Sequence, residues 1–289
     1  MVKTAIITDS TAYIPKELRD EHNITMIPLN IIFGQESYKE EVEITSKQFY
    51  EEMKSKDKCP TTSQPAISLF LDAYQELSQN YEEIIVITLS SGISGTYATA
   101  SNAVKMIEGT TKIHIFDAEI SCMLQGFYVL EAAKLAEEGV SSEEILKQLK
   151  TLRENTQAYF IAHDLSHLHL GGYLNGAQLF LGNMLNIKHV LHFNNKAIVP
   201  FENVRTEEKA MNLILSLLEN DAKDGSQIDI TVIHAHRYEK ANNMAIVLRE
   251  KYPHANIVVS YFGPVIGTHL GEGSMGIGWV KHSNLFGRK

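Results

Sequence analysis

The sequence predicts an α/β protein of two domains, the first with a mostly parallel sheet and the second with a mixed sheet. Three observations predict it. Short apolar runs such as AIIT (5–8) and IIVIT (84–88) alternate with helical segments through the first half, the pattern of strands covered by helices on both faces. In the second half, IKHVLHFNNKAIVPFENV (187–204) reads as two strands joined at Asn194-Asn195-Lys196, a hairpin that belongs in a mixed sheet. At 289 residues the chain exceeds the size at which one core stops growing, and a boundary near residue 156 divides it into 1–155 and 156–289.

Taken in order, AIIT is followed by an Asp-Ser-Thr turn and by the helix PKELRDEH, with Pro15 near its start, where a fixed φ suits the first turn. MIPLNIIF (26–33) reads as one strand, and ITSKQFYEEMKSK (44–56) as a helix that Thr45 or Ser46 can cap. After PTTSQPA come a helix from about Ser68 to Asn80, the strand EEIIVITL, and the helix TYATASNAVKMIE, opened by LSSGISGTY. KIHIFDA (112–118) is the next strand, and LQGFYVLEAAKLAEEG a helix that Gly139 can close. SSEEILKQLKTLREN carries a capping box from Ser141 to Glu144 and bridges the halves. AYFIAH is a strand and GAQLFLGNMLN a short apolar helix, before the hairpin. The helix TEEKAMNLILSLLEND, the strand IDITVIHAH, a helix around KANNMAIVLREKY and the strand NIVVSYF follow, and the Gly-rich segment GPVIGTHLGEGSMGIGW ends the fold. There is no fixed-period repeat and no low-complexity linker, so the two domains are expected in close contact.

Composition narrows the function. The formal charge of −9, from 26 basic and 35 acidic side chains with no basic block, argues against a nucleic-acid partner, which needs a concentrated positive face. Cys59 and Cys122 lie far apart and form no CxxC pair, as expected of reduced thiols in a cytoplasmic protein. The N-terminus reaches Asp9 too soon for a signal-peptide core, and no stretch approaches the roughly 20 apolar residues of a membrane span.

In parallel sheets, ligands sit beyond the carboxyl ends of the strands. Three hydroxyl-rich segments fall there: Thr8-Asp9-Ser10-Thr11, Thr61-Thr62-Ser63-Gln64 and Ser90-Ser91-Gly92-Ile93-Ser94-Gly95-Thr96. The third admits four readings. It can be a tight turn and N-cap alone. It lacks the lysine of a phosphate-binding P-loop. It approaches the G-x-S-x-G nucleophile elbow, but Thr96 occupies the last glycine position. Fourth, its free amides and hydroxyls at a helix start suit an anion such as a carboxylate. PTTSQPA likewise reads as a helix start at Ser63 or Gln64 with Pro65 in the first turn, or as a second source of hydroxyls from Thr61 and Thr62.

Among the histidines, His163 and His167 have i, i+4 spacing with His169 nearby, but without a third converging ligand or a HExxH glutamate this is no metal site, and no cofactor is implied. His234 and His236 finish a strand. His269 lies in a loop shaped by glycines and Pro264, where an imidazole either faces a ligand or the surface.

Together TDSTAYIP, TTSQP, LSSGISGTY, HLHLGG, IKHVL and GPVIGTH, in this order from Ile6 to Trp279, resemble the DegV family of bacterial fatty-acid-binding proteins, which includes the FakB subunits of fatty acid kinase. The resemblance implies one long-chain fatty acid buried between two α/β domains, its carboxylate held by Thr62, Ser94 and His269. Burying about 14 methylenes offers on the order of 11 kcal/mol before entropy and desolvation are subtracted, so an enclosed apolar tunnel is needed. A desolvated carboxylate is costly unless several donors meet it, as the two hydroxyls, a ring nitrogen and the helix start at Ser94 can. Ile27, Leu29, Ile31, Phe127 and the LFLGNML segment (179–185) are candidate walls, or ordinary core. The resemblance also implies a separate ATP-dependent kinase subunit that phosphorylates the bound fatty acid for phospholipid synthesis. FakB-like members carry an arginine after the paired glycines of HLHLGG; here the position is Tyr173. Arg205 in NVRT matches a family arginine that can serve the headgroup, a phosphate or the partner. The competing reading is a serine esterase or thioesterase with Ser94 as nucleophile and His269 as base.

Overall fold

Three sheets organise the residues described by the computed structural model, which are 3–55, 59–162, 165–173, 187–223 and 225–282. The first comprises β1 (Thr4–Asp9), β2 (Thr25–Ile27), β6 (Glu83–Thr88) and β7 (Lys112–Asp117), all parallel in the order β2-β1-β6-β7. Its apolar runs follow from burial on two sides. Ile84 and Val86 pack with Phe70, Tyr74, Ala100 and Ala103 of helices α3 (Ile67–Leu77) and α4 (Thr96–Val104). Their neighbours Ile85 and Ile87 point the other way, to Met123, Phe127 and Tyr128 of α5 (Met123–Glu137). Helix α1 (Lys16–Glu21) joins β1 to β2, and α6 (Ser142–Glu154), capped by Ser141 accepting from the Glu144 amide, leads into the second half.

A small antiparallel sheet forms an arm off the first, with β3 (Asn30–Phe33), β4 (Glu36–Lys39) and β5 (Thr61–Ser63) in the order β4-β3-β5 and helix α2 (Ser46–Ser55) between the last two. Two expectations are corrected here. MIPLNIIF is two strands, β2 parallel to β1 and β3 antiparallel to β4, and the break falls at Pro28, which has no N–H to give a ladder. Thr61–Ser63 is a strand paired to β3, so the following helix starts at Ile67 rather than at Ser63 or Gln64.

The third sheet is mixed: β8 (Thr156–Ile161), β9 (Lys188–Asn194), β10 (Ala197–Val204), β11 (Ile228–His234), β12 (Asn256–Tyr261) and β13 (Met275–Lys281), ordered β10-β9-β8-β13-β11-β12, with β11 and β12 parallel and the other pairs antiparallel. The β9–β10 hairpin turns at Asn195 and Lys196, whose φ values of 47° and 72° are those of a two-residue primed turn. Between strands lie α7 (Leu165–Leu170), α8 (Glu207–Ala222), α9 (Tyr238–Lys251) and α10 (Pro264–Leu270). The Gly-rich end of the chain, expected as loop, is the helix α10 followed by the central strand β13. The expected GAQLFLGNMLN helix and the LFLGNML wall lie outside the described residues, as does His163; nothing is described of the His167 side chain.

Two contacts draw the sheets together. From the arm, the Tyr50 hydroxyl donates to the Phe262 carbonyl (2.7 Å) and reaches α10, where a Cβ on Gly267 would lie 2.4 Å from Tyr50 Oη. From the third sheet, the hairpin tip lies on the loop after β6. Ser90 Oγ donates to the Lys196 carbonyl (2.7 Å), and a Cβ on Gly92 would sit 2.4 Å from that same oxygen. The arm, α10, the hairpin and the loop before α4 enclose the space between them. No helix among the described residues is long and apolar enough to cross a membrane.

Candidate ligand-binding site

The enclosed space is a cavity of about 250 Å³. Its polar lining is Thr62, Ser63, Gln64, Ser94, Tyr173 and His269, and its apolar lining Leu29, Leu89, Ile93, Ile198, Val265, Ile266 and Leu270. Thr62 is set by β5, whose register places it opposite Ile31. Ser94 lies in the loop that starts α4, and its Oγ accepts from the Thr96 amide (3.3 Å) and pairs with Thr96 Oγ1 (2.9 Å). His269 is on the last turn of α10, and its Nε2 meets Thr62 Oγ1 at 2.8 Å. Thus a strand and a helix bring Thr62 and His269 into contact, and the loop before α4 brings Ser94 to the lining of the same cavity.

Tyr173 belongs to the same cluster. Its ring stands edge-on to His269, with centroids 4.6 Å apart. Burial raises its hydroxyl above its ordinary value against a smaller pull from Thr62, so it stays protonated and able to donate. Gly171 makes the approach of His269 feasible, because a Cβ there would lie 2.6 Å from Nδ1. The described residues of this lining carry no formal charge apart from what His269 can take on, so an anion would be met by hydroxyls, an imidazole and the amides opening α4. Arg205, exposed between β10 and α8, is outside the cavity wall.

The apolar lining continues. Ile198, Ile266 and Leu270 also wall a second void of about 30 Å³, with Cys122, Phe160, Phe193, Phe262, Gly276 and Gly278 around it. This corrects the expected walls: Leu29 lines the first cavity, Ile31 packs behind it in the same core cluster, and Ile27 and Phe127 belong to two other clusters. Ile27 faces the α3 side of the first sheet and Phe127 the opposite face, both away from the cavity. Sequence reasoning missed the glycines of β13; the alternation MGIG was the available signal, since two glycines two apart leave one strand face bare.

The first hydroxyl-rich segment is used internally. Asp9 Oδ2 accepts from the Leu89 amide (2.7 Å), Oδ1 accepts from Thr11, and Thr8 Oγ1 donates to the Ile87 carbonyl (2.9 Å). These bonds sew β1 to the end of β6. As for an esterase, hydrogen bonding engages Ser94 Oγ with Thr96 and His269 Nε2 with Thr62, which is not the serine–imidazole pairing that proton transfer to a base requires. Among the described residues no group of three or more His, Cys, Asp or Glu side chains is placed to hold a metal ion.

Comparison with known proteins follows the same lines. The family model described as "Uncharacterised protein, DegV family" matches residues 3–282. Protein DegV of Bacillus subtilis is 50% identical over 276 residues, which is 95% of this chain and 98% of that protein. A DegV domain-containing protein of Halalkalibacterium halodurans is 47% identical over 280 residues, 96% of this chain and 99% of that protein. The crystal structure of Bacillus subtilis DegV, described as a fatty acid binding protein, superposes with a TM-score of 0.91 at 49% identity, covering 98% of this chain and 100% of that one. A Thermus thermophilus DegV family protein, described by its fatty acid binding, gives a TM-score of 0.88 at 28% identity over 97% of this chain and 100% of that one.

Proposed function

This chain belongs to the DegV family, and from that premise and the cavity we propose that it binds one long-chain fatty acid as a non-catalytic carrier. The observation that carries the reading is that Thr62, Ser94 and His269 line one cavity together with seven aliphatic side chains. In this reading the carboxylate accepts from Thr62, Ser94 and His269, with the Tyr173 hydroxyl beside them, and the α4 helix start adds partial positive charge. The acyl chain runs between Leu89, Ile198 and Ile266 and extends past Leu270 toward Phe160 and Phe262. The linings support this: the first cavity offers hydroxyls, an amide and an imidazole, and the second void, which shares Ile198, Ile266 and Leu270 with it, has almost wholly apolar lining.

The reading extends to presentation of the fatty acid, in the cytoplasm, to a separate ATP-dependent kinase subunit for acyl-phosphate formation. Arg205 is exposed and available to such a partner or to a phosphate. Tyr173, where the resembling kinase subunits carry arginine, offers a hydroxyl donor without positive charge, so phosphoryl transfer on this chain would depend on the partner's cations.

Native mass spectrometry of the purified protein, before and after delipidation and reloading with oleate, tests the carrier reading. One fatty acid per chain, and failure of methyl oleate to bind, is the expected result. A protein that arrives empty and refuses oleate, or that binds the ester equally well, overturns it.

A further inference from the structure

Glu40, just past β4, has no solvent exposure and lies outside the cavity, yet its carboxyl is surrounded by donors from two other parts of the fold. Ser10 Oγ donates to Oε2 (2.5 Å), while the Tyr13 hydroxyl (3.0 Å) and the Val265 amide (2.7 Å) donate to Oε1. The network continues into the cavity wall at the backbone. The Ile266 amide donates to the Tyr13 hydroxyl (3.3 Å), the Leu29 amide to Ser10 Oγ (3.1 Å), and the Glu40 amide to the Leu29 carbonyl (2.9 Å). Leu29, Val265 and Ile266 all line the cavity, and Val265 and Ile266 lie in the first turn of the helix whose last turn holds His269. One buried carboxyl therefore ties the arm that carries Thr62 to the helix that carries His269.

We infer that Glu40 is a positioning residue of the carboxylate site, fixing the first turn of α10 against the arm so that His269 meets Thr62. The inference rests on the fatty-acid reading for its functional consequence. Burial pushes the Glu40 carboxyl up to about 8, against the pull of its Ser10, Val265 and Tyr13 donors and with a small push from Glu41. The other titratable groups around it come from every packed element: Asp9 and Tyr13 beside β1, Glu41 next to it (hydrogen-bonded to Tyr261 and near Arg19), Tyr50 on α2, Cys122 at the start of α5, Tyr261 on β12 and His269 at the far end of α10. Burial pushes Cys122 up to about 12 and raises the four tyrosine and carboxyl neighbours Tyr13, Tyr50, Tyr261 and Glu41 above their ordinary values. Neutral Glu40, whose Oε2 proton is then donated to Ser10 Oγ, adds no charge at α10; ionised Glu40, bonded to the Val265 amide four residues before His269, opposes a carboxylate held at that helix.

The test measures binding of decanoate, a monomeric probe, by calorimetry from pH 6.5 to 9.5 for wild type, Glu40→Gln and Glu40→Leu, together with hydrogen exchange of the segment 263–270. Wild-type affinity should fall by about three- to tenfold as pH rises through the Glu40 titration. Glu40→Gln, which keeps an acceptor for Tyr13 and Val265, should bind like wild type at pH 7 but lose this dependence. Glu40→Leu should bind at least about tenfold more weakly and exchange faster over 263–270. Identical pH profiles for wild type and Glu40→Gln would overturn the inference, and that comparison holds even if Glu40→Leu does not fold. A wild-type protein deaf to decanoate and oleate at every pH would sink the fatty-acid reading instead, and the exchange rates of Glu40→Gln and wild type across the same pH range would then decide the positioning role.

Discussion

Thr62→Val is the substitution that weighs the headgroup site most directly, because valine keeps the shape of threonine and removes only the hydroxyl. In the protein, Thr62 Oγ1 meets His269 Nε2 at 2.8 Å. Its loss removes one donor to a bound carboxylate and frees the imidazole that it positions. A hydrogen bond to a charged group contributes about 1.5–3 kcal/mol, so affinity for oleate should fall about ten- to 150-fold. Because Thr62 is only partly buried, unfolding of the ligand-free variant should change by less than about 1 kcal/mol. Titration of delipidated protein with oleate, run as a double-mutant cycle with His269→Phe, separates the effects. The pair should be coupled by more than about 0.5 kcal/mol. Affinity within twofold of wild type, or strict additivity with His269→Phe, would refute the reasoning that these side chains act as one site.

Three further expectations use other features. Gly171→Ala places a Cβ 2.6 Å from His269 Nδ1, so binding should weaken by about tenfold with little change in melting temperature; equal affinity would show that the imidazole is free to move aside. Asp117 accepts from Ser91 and Lys196, and although burial pushes its carboxyl up, these bonds hold it below its ordinary value of 3.8. Its contribution is therefore present above the unfolded value and lost as pH falls through the folded one: Asp117→Asn should cost about 1–3 kcal/mol at pH 7 in denaturant titrations, with the gap closing below about pH 4. Burial pushes the Cys122 thiol up to about 12 while Cys59 is exposed, so iodoacetamide at pH 8 should add once to the native protein, at Cys59, and twice after denaturation.

The parallel sheet was legible because both faces of its strands are buried, which writes uninterrupted apolar runs such as Ile84–Ile87 into the chain. The hairpin was legible from Asn194-Asn195-Lys196, since positive φ at two successive residues narrows the choice of side chain. What could not be read depended on distant partners. The three-residue β5 exists because β3 lies beside it, and no local signal distinguishes that from the start of a helix. Helix α10 is disguised by the glycines that let Tyr13 and Tyr50 close on it: a Cβ at Gly263 would lie 2.2 Å from the Tyr13 ring. The candidate binding residues were named through family likeness, motif by motif. The contact of Thr62 with His269, and of His269 with Tyr173, emerges only once a strand 207 residues away from the histidine is folded against it.

The bare face of β13 bears on how closely its neighbours can approach. Gly276 and Gly278 sit two apart on the central strand of the mixed sheet, so the far end of the apolar space is floored by backbone. A methyl group at Gly276 would meet Phe160 at 3.0 Å, and one at Gly278 would meet Leu124 at 2.3 Å. Thr62, Ser94 and His269 stand on other elements and do not feel either change. Both glycines thus set how closely β13 lies against β8 and α5: a side chain at either position collides with Phe160 or Leu124 before it reaches the apolar space.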